Sequence, residues 1–386
     1  MKASVFVSAF VASIVGFGSS LAVILAAADA LNATMDETSS WVTALCLAVA
    51  LSSIYLSARH RMPLLTAWST PGAVLIASAG LTISLNVAVG AFIFAAVLIF
   101  VTGLIKPIER LIAAIPGPIA SAMLAGVLMQ LILGIFPALV SNPTLVASMI
   151  FFFFLIRLYS PSLAVIGSLV LGFVMSIISG SAELQNVQLG VSSLTWITPE
   201  FEFSATIGLG LPLYLVTMTS QNIAGFAVMK SDGYQPPTRS ILTCTSLLSA
   251  MTAFFGAHTS NLAAITASIC TGKDTHPDPN KRWVAGVVVG IFYLFFALFG
   301  ASLVSLFTAV PKELIATLAG LALLAPLVGA AGNALSQENT RLAATVTLLV
   351  TLSGLNVLGI SAAFWGLLVG IAVYSSERFV LTRLKK

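Results

Sequence analysis

The chain of 386 residues is 58% hydrophobic and only 8% charged, and its mean hydropathy is +1.06. Soluble domains carry about 25% charged residues, so this composition excludes a water-soluble enzyme and predicts a chain embedded largely in lipid. The net charge of +4 comes from basic residues that stand singly beside apolar runs, which indicates membrane topology and not nucleic-acid binding. A crossing helix needs roughly 20 apolar residues, so the length allows roughly 12 to 14 crossings.

The N-terminal apolar run, residues 3–28, follows Lys2 and resembles a secretory signal in its composition. It is about twice as long as the apolar core of a signal peptide, and the sequence GFGSS at residues 16–20 interrupts it. We therefore predict that this run is a retained first span.

Breaks in hydropathy divide the chain into fourteen predicted spans, taken in chain order. They cover residues 4–28, 40–57, 67–82, 86–105, 114–140, 144–158, 161–181, 204–229, 239–256, 260–271, 284–308, 312–332, 341–355 and 357–375. The spans 67–82 and 260–271 are too short to cross a bilayer as complete helices.

The distribution of basic residues predicts the orientation of these spans. When both termini are placed in the cytoplasm, only Lys312 of the 17 Lys and Arg residues falls on the opposite side. Removing one span before Arg341 would invert every later loop and spoil this agreement with the positive-inside rule. The sequence therefore predicts an all-α integral protein of an inner (plasma) membrane, with fourteen segments and cytoplasmic termini.

The two short spans occupy corresponding positions in the chain. Each is third in its set of seven spans, and because seven is odd the two sets have opposite orientations, as inverted repeats. Paired short segments of this kind are typical of a transporter's binding site. We expect half-helices at segments three and ten, starting near residues 69 and 259, whose N-termini face each other and attract an anion. The alternative is ordinary N-capping at a membrane surface.

Polar side chains next to these half-helices are the candidate binding residues. His258 is the ionisable residue expected at membrane depth, which makes it a candidate for proton coupling, although a lone His in an apolar setting is often a hydrogen-bonded core residue. In span eight, residues 214–222 read YLVTMTSQN, and Thr217 and Gln221 share a helix face. Helix–helix hydrogen bonding is the alternative role there, and close packing is the alternative for residues 16–20.

Several kinds of site are not expected. The acidic residues fall in loops, and the three cysteines stand alone without metal-ligand spacing. The sequence has no phosphate-binding glycine loop and no hydrolase or zinc-protease motif. We therefore expect no enzyme activity, no metal and no cofactor.

Two motifs carry a resemblance to a known family. Residues 255–272 read FGAHTSNLAAITASICTG and are followed by HPDPNKRW at 276–283, while residues 66–73 read TAWSTPGA. These stretches resemble the signatures of the BenE-type benzoate:proton symporters, and length and hydropathy agree over the whole chain. The resemblance implies proton-coupled uptake of benzoate across the inner membrane of a bacterium.

A wider resemblance extends to nucleobase permeases and related anion transporters with seven-plus-seven inverted repeats. It implies substrate binding between spans three and ten with help from spans one and eight, and elevator-like movement of a core domain against a gate domain. The core would comprise residues 1–105 and 201–308, and the gate residues 106–200 and 309–386. The permeases use acidic residues on spans eight and ten, whereas this chain has Ser220 or Gln221 and the Asn261 region there, which suits an anionic substrate.

These expectations combine into one hypothesis, the import of an aromatic carboxylate with a proton. An anion channel on the same scaffold, or a carrier for a nucleobase or another small anion, is the alternative, and a homodimer is plausible from the wider resemblance. The ring of the substrate would pack on an apolar wall that includes Phe17 or Tyr214. The residues expected to bind substrate are Ser19, Ser20, Ser69, Thr70, Pro71, Gly72, Tyr214, Ser220, Gln221, Asn222, His258, Thr259, Ser260 and Asn261.

Overall fold

The computed structural model describes residues 3–18, 20–79, 83–105, 116–161, 163–187, 189–358 and 360–384. Most of these residues are helical, as the apolar composition predicts. The helices are α1 Ala3–Gly18, α2 Leu21–Ala30, α3 Met35–His60, α4 Thr70–Ala79, α5 Leu85–Leu104, α6 Gly117–Leu133, α7 Ile135–Ser141, α8 Pro143–Tyr159, α9 Ala164–Ile178, α10 Phe203–Lys230, α11 Thr238–Ala253, α12 Ile265–Thr271, α13 Trp283–Leu298, α14 Gly300–Thr308, α15 Lys312–Ala334, α16 Arg341–Leu352 and α17 Ala362–Leu384.

Seven helical runs within the described residues are long and apolar enough to cross a membrane, judged by length and composition. They are Ala3–Ala30, Met35–His60, Leu85–Leu104, Gly117–Ser141, Phe203–Lys230, Pro279–Leu298 and Lys312–Ala334. The chain is therefore a multi-pass membrane protein. The finer count of fourteen crossings stays a prediction, because several of the other apolar helices are shorter than a full span.

The first apolar run contains a break between α1 and α2. The Ser20 Oγ donates a hydrogen bond to the Gly16 carbonyl at 2.7 Å, and the Ser20 amide donates to the Phe17 carbonyl at 3.2 Å. A serine that bonds the preceding turn competes with the helical hydrogen-bond pattern. Ser19, one of the expected binding residues, lies outside the described residues.

Helix α10 contains two wide turns of π-helical geometry, at Thr206–Gly210 and Thr217–Asn222. Pro212 follows the first one, and a proline has no N–H for the carbonyl four residues earlier. That carbonyl, Gly208, instead accepts a hydrogen bond from the Ser361 Oγ. In the second turn the Asn222 side chain donates to the Thr217 carbonyl at 3.3 Å. The second wide turn therefore lies in the polar stretch that the sequence singled out.

Short antiparallel strands precede the two short helices. Strand β1, Thr66–Trp68, leads into α4, and strand β2, Ser260–Leu262, precedes α12. The first short helix begins at Thr70, within one residue of the expected start. The second begins at Ile265, later than expected, because residues 260–262 are extended by pairing with β1. Helix boundaries of this kind depend on long-range pairing and are not written in local composition.

Small residues allow the long helices to approach closely, as is usual within a membrane. A side chain at Gly286 of α13 would overlap Ser57 of α3, and one at Gly126 of α6 would overlap Thr351 of α16. Helix α3 packs mainly on α11, α13 and α14, whereas α6 packs mainly on α15 and α16, and α8 packs on α9. The helix contacts thus form two groups, which meet where α4 touches α6 and α2 touches α15.

Gly225 lies where α10 crosses strand β2, and its substitution tests this contact. A Cβ added to Gly225 would lie 2.8 Å from the Leu262 carbonyl oxygen and 2.9 Å from Leu262 Cγ. Because backbone must move, we expect Gly225→Ala to destabilise the protein by about 1–3 kcal/mol, measured by thermal unfolding in detergent. The control Gly332→Ala, whose Cβ would meet no heavy atom within 4 Å, is expected to change stability by less than about 0.5 kcal/mol. Equal stabilities of the two variants would contradict the contact.

Candidate functional site

The two strands bring the starts of the short helices together. Their ladder pairs Thr66 with Leu262, Ala67 with Asn261 and Trp68 with Ser260. It is extended at one end by the Ser69 amide, which donates to the Thr259 carbonyl at 2.9 Å. Because the strands are antiparallel, α4 and α12 begin at opposite ends of the ladder, roughly 10 Å apart at about 3.4 Å per residue. Non-helical backbone at membrane depth is tolerated only inside protein or along a cavity, and both conditions hold here.

A buried cluster of three hydroxyl groups holds the start of α4. The Thr217 Oγ1 of α10 lies 3.1 Å from the Ser69 Oγ and 2.8 Å from the Thr259 Oγ1. The Ser69 Oγ also accepts the Gly72 amide at 3.1 Å, which is the usual N-cap bond. These hydroxyl groups therefore connect the wide turn of α10 to both strands.

His258 links the second strand segment to the first short helix. Its Nε2 lies 3.0 Å from the Ser69 carbonyl, and its Nδ1 accepts the Trp41 indole N–H at 3.2 Å. A carbonyl only accepts and an indole N–H only donates, so both bonds are satisfied by the neutral imidazole with its proton on Nε2. The side chain is fully buried, at 0% exposure. His258 thus lies behind the ladder with both ring nitrogens engaged.

The asparagines of the site are also engaged with backbone. The Asn222 Oδ1 accepts the Leu262 amide at 3.0 Å, and the Asn261 Nδ2 donates to the Leu262 carbonyl at 3.0 Å. Within the described residues, the Asn261 Oδ1 and the Ser260 Oγ are buried without a hydrogen-bond partner. Unsatisfied buried oxygens are uncommon in native proteins.

A cavity of about 950 Å³ opens in front of the ladder, between the two groups of helices. Five of the residues expected to bind substrate line it. They are Ser20, Thr70, Pro71, Ser220 and Gln221. Ala263, Ala264 and Thr266, at the start of α12, line the same space. The cavity is thus bordered by the first turns of both short helices and by the second wide turn of α10.

The other expected binding residues do not line this cavity. They are Ser69, Gly72, Tyr214, Asn222, His258, Thr259, Ser260 and Asn261. Tyr214 is turned toward α5, where its hydroxyl lies 2.5 Å from the Thr102 Oγ1. Most of the rest form the hydrogen-bonded layer directly behind the lining. Direct contact of this second set with a substrate stays a prediction.

Aromatic side chains form one wall of the cavity. Trp68 and Tyr293 line it, with ring centroids 5.8 Å apart in an edge-to-face arrangement. The Trp68 indole donates to the Ser20 Oγ at 2.9 Å, which fixes the ring. Behind them Phe17 contacts both Trp68 and Phe296, with centroids 5.9 and 4.6 Å away. This wall offers an apolar surface beside the hydroxyl and amide groups.

Comparison with known proteins identifies the family. The family described as "BenE: Benzoate membrane transport protein" matches residues 1–376. The inner membrane protein YdcO of Escherichia coli (strain K12) is 41% identical over 365 residues, 95% of this chain and 93% of that protein. The benzoate membrane transport protein of Acinetobacter baylyi (strain ATCC 33305 / BD413 / ADP1) is 36% identical over 379 residues, 98% of this chain and 95% of that protein.

The chain belongs to the BenE family of benzoate membrane transport proteins. The family resemblance seen in the two motifs is confirmed. The members are membrane transporters and not enzymes, and this chain is accordingly a membrane transporter of the BenE family.

Solved structures of two anion transporters have a similar fold. The transmembrane domain of the cyanobacterial bicarbonate transporter BicA superposes with a TM-score of 0.62 at 14% identity, covering 96% of this chain and 97% of that one. The murine solute carrier 26 family member A9 anion transporter in the inward-facing state gives a TM-score of 0.62 at 13% identity, covering 99% and 69%. These likenesses support the inverted-repeat transporter fold for this BenE-family chain.

The sequence did not single out every cavity residue of this BenE-family protein. Thr219, Thr266, Trp68 and Arg157 also line the cavity. Thr219 and Trp68 stand within the quoted motifs, so their neighbours' polarity could have indicated them. Arg157 ends an apolar run rich in phenylalanine, where a single basic residue indicates only membrane topology.

A second omission is Arg282, which lies in the HPDPNKRW motif. Its side chain is 5% exposed and donates to the carbonyls of Thr271, His276 and Pro277 at 2.6, 2.6 and 3.3 Å. The Thr271 carbonyl ends α12, so the guanidinium caps the C-terminus of the short helix, where a positive charge is favourable. A lone arginine before an apolar run predicts topology, and only the folded loop shows this buried contact.

Proposed function

We propose that this protein imports an aromatic carboxylate, benzoate or a close relative, together with a proton. The observation that supports this most directly is the cavity of about 950 Å³ bordered by the first turns of both short helices. Backbone N–H groups at helix starts and the positive end of the helix dipole favour an anion. None of the described lining residues is acidic, so no negative side chain there repels an anion.

The two parts of an aromatic carboxylate correspond to the two kinds of lining. Hydroxyl and amide groups of Thr70, Ser220, Gln221 and Thr266 offer hydrogen bonds to a carboxylate. Trp68 and Tyr293 offer a surface against which a six-membered ring packs. A polar end beside an apolar wall is the usual composition of small-molecule sites.

The transport cycle that we propose is an elevator movement of a core against a gate. The core consists of residues 1–105 and 201–308, and the gate of residues 106–200 and 309–386, with fourteen crossings and both termini in the cytoplasm. Two groups of helices with the cavity between them are what such a movement requires. Association of two copies through gate helices completes the proposal.

The proposal also assigns the coupled proton to His258. A second proton on this ring would occupy Nδ1, which now accepts the Trp41 N–H. Two donors cannot face each other, so proton uptake would release this indole from the ring. If His258 carries the proton, Trp41→Phe is expected to change the pH dependence of uptake. If it only positions Ser69, the pH dependence stays as in the parent protein.

Purified protein in proteoliposomes tests the function as a whole. We expect saturable uptake of radiolabelled benzoate, driven by an inward proton gradient and accelerated by benzoate inside the vesicles. Competition by other aromatic acids, uracil and bicarbonate identifies the substrate class. Conductance without saturation would instead support an anion channel, and preferential binding of uracil would support a nucleobase carrier.

Substitution of Gln221 tests the proposed carboxylate-binding end of the cavity. Loss of one hydrogen bond to a carboxylate costs about 1.5–3 kcal/mol, so Gln221→Ala is expected to weaken benzoate binding by roughly 10- to 100-fold. Gln221→Glu, of nearly equal size, should weaken it further because it adds a negative charge. Equilibrium binding to the purified protein measures both. Gln235→Ala, at an exposed position, is the control. If Gln221→Ala and this control bind benzoate with equal affinity, Gln221 does not bind the carboxylate.

A further inference from the structure

Polar residues outside the short helices also line the cavity. They include Arg157 at the end of α8, and Asn333, Ser336 and Gln337 at or just after the end of α15. The positive-inside pattern of the sequence assigns these helix ends to the cytoplasmic side. With this orientation, the part of the cavity that these residues line would be the mouth through which a solute reaches the first turns of α4 and α12 from the cytoplasm.

Arg157 is the charged side chain among the described residues that line the cavity. Its guanidinium carbon lies 5.9 Å from the ring centroid of Phe153, a residue that is 1% exposed and lines the same cavity. Within the described part of the chain no ion pair compensates this guanidinium. A positive charge on the wall of an apolar cleft focuses the field and raises the local concentration of anions.

We propose that Arg157 is a capture site for the substrate's carboxylate at the mouth of the cavity, a role that rests on the proposed function. The planar guanidinium binds a carboxylate through two parallel N–H···O bonds. Phe153, Val165 and Leu321 line the cavity around it and accommodate the ring of an aromatic acid. In exchange, an anion that enters from the cytoplasmic side passes from Arg157 to the first turns of α4 and α12, and during import it leaves along the same path in reverse.

A lipid headgroup offers the same oxyanion chemistry to this residue. Arg157 also borders a shallow hollow of about 440 Å³ with Phe151, Phe154, Leu155 and Leu158. Four of these five residues are apolar, as expected of a lipid-facing surface, and long basic side chains near helix ends reach toward headgroups. The experiment therefore compares membranes with and without anionic lipid.

Initial rates of benzoate exchange in proteoliposomes, at several ionic strengths, separate capture from the later steps. In phosphatidylcholine vesicles at low salt we expect Arg157→Gln to lower kcat/KM by about 10-fold with kcat unchanged, and to abolish most of the salt dependence of kcat/KM. Arg157→Lys keeps the charge and should retain the salt dependence with a smaller loss. Arg239→Gln removes an exposed charge that does not line the cavity and should behave as the parent does.

Distinct outcomes separate the alternatives. If the parent exchanges benzoate and Arg157→Gln matches the parent and the Arg239→Gln control in kcat/KM and in salt dependence, the capture site is wrong. An effect of Arg157→Gln that requires anionic lipid assigns the bound oxyanion to a headgroup and also overturns the proposal. If the parent itself shows no saturable benzoate exchange, the proposed function fails first. Should Arg157→Gln fail to fold, kcat/KM of Arg157→Lys is compared with that of the parent. A lower value supports capture by the guanidinium, and an equal value overturns it.

Discussion

Replacing His258 with alanine is expected to destabilise the protein strongly and to remove uptake, whereas His258→Gln should retain most of the stability. Alanine leaves the Trp41 indole N–H and the Ser69 carbonyl buried without partners, since each now bonds the imidazole. A buried polar group that loses its partner costs about 1–3 kcal/mol, and the void adds to this. The total loss should be on the order of 2–6 kcal/mol, measured by thermal unfolding of the purified protein.

The glutamine variant distinguishes positioning from proton transfer. A glutamine side chain has one acceptor and one donor group, so it can accept from Trp41 and donate to the Ser69 carbonyl, but it does not titrate. If His258 only positions the start of α4, His258→Gln keeps proton-coupled uptake. A folded His258→Gln protein that binds benzoate but no longer couples its uptake to protons would instead support the proton-carrying role. Trp41→Phe is the complementary variant, because it removes the indole hydrogen bond and leaves a titratable imidazole at position 258.

Arg282→Met is expected to destabilise the protein strongly, although Arg282 does not line the cavity. The three carbonyls that Arg282 binds belong to Thr271, His276 and Pro277, and methionine fills similar volume while offering no donor. Removing one partner from a buried charged interaction costs about 3–5 kcal/mol. The loop 272–282 should therefore loosen, and the C-terminal end of α12 should fray.

The measurement combines thermal unfolding with hydrogen exchange of the peptide that covers residues 265–282. Arg282→Met should lower the unfolding temperature and increase exchange in that peptide, and Arg282→Lys should recover part of the loss because one ammonium cannot reach all three carbonyls. Arg239→Met, at an exposed position, is the control and should change stability by less than about 0.5 kcal/mol. Unchanged exchange in Arg282→Met would show that the cap contributes nothing.

The polar stretches found in the sequence surround the cavity, but only some of their residues line it. Ser20, Thr70, Pro71, Ser220 and Gln221 line it. Residues only a few positions away are turned into the layer behind. Side chains alternate along β2 and rotate around α10, so one or two positions decide between cavity and core. Polarity alone does not separate cavity residues from core residues, because the same side chains serve as buried hydrogen-bonding groups and as substrate-binding groups.

Composition and motif by themselves determined the membrane class, the transporter family and the two segments around which the site is built. These properties depend on local hydropathy and on short strings of residues, which need no tertiary information. Only the tertiary structure decided that β1 pairs with β2, that His258 bridges to a carbonyl 189 residues away, and that Arg157 and Arg282 have different environments. Contacts between distant parts of the chain depend on packing and on hydrogen-bond geometry, and neither is encoded at any single position.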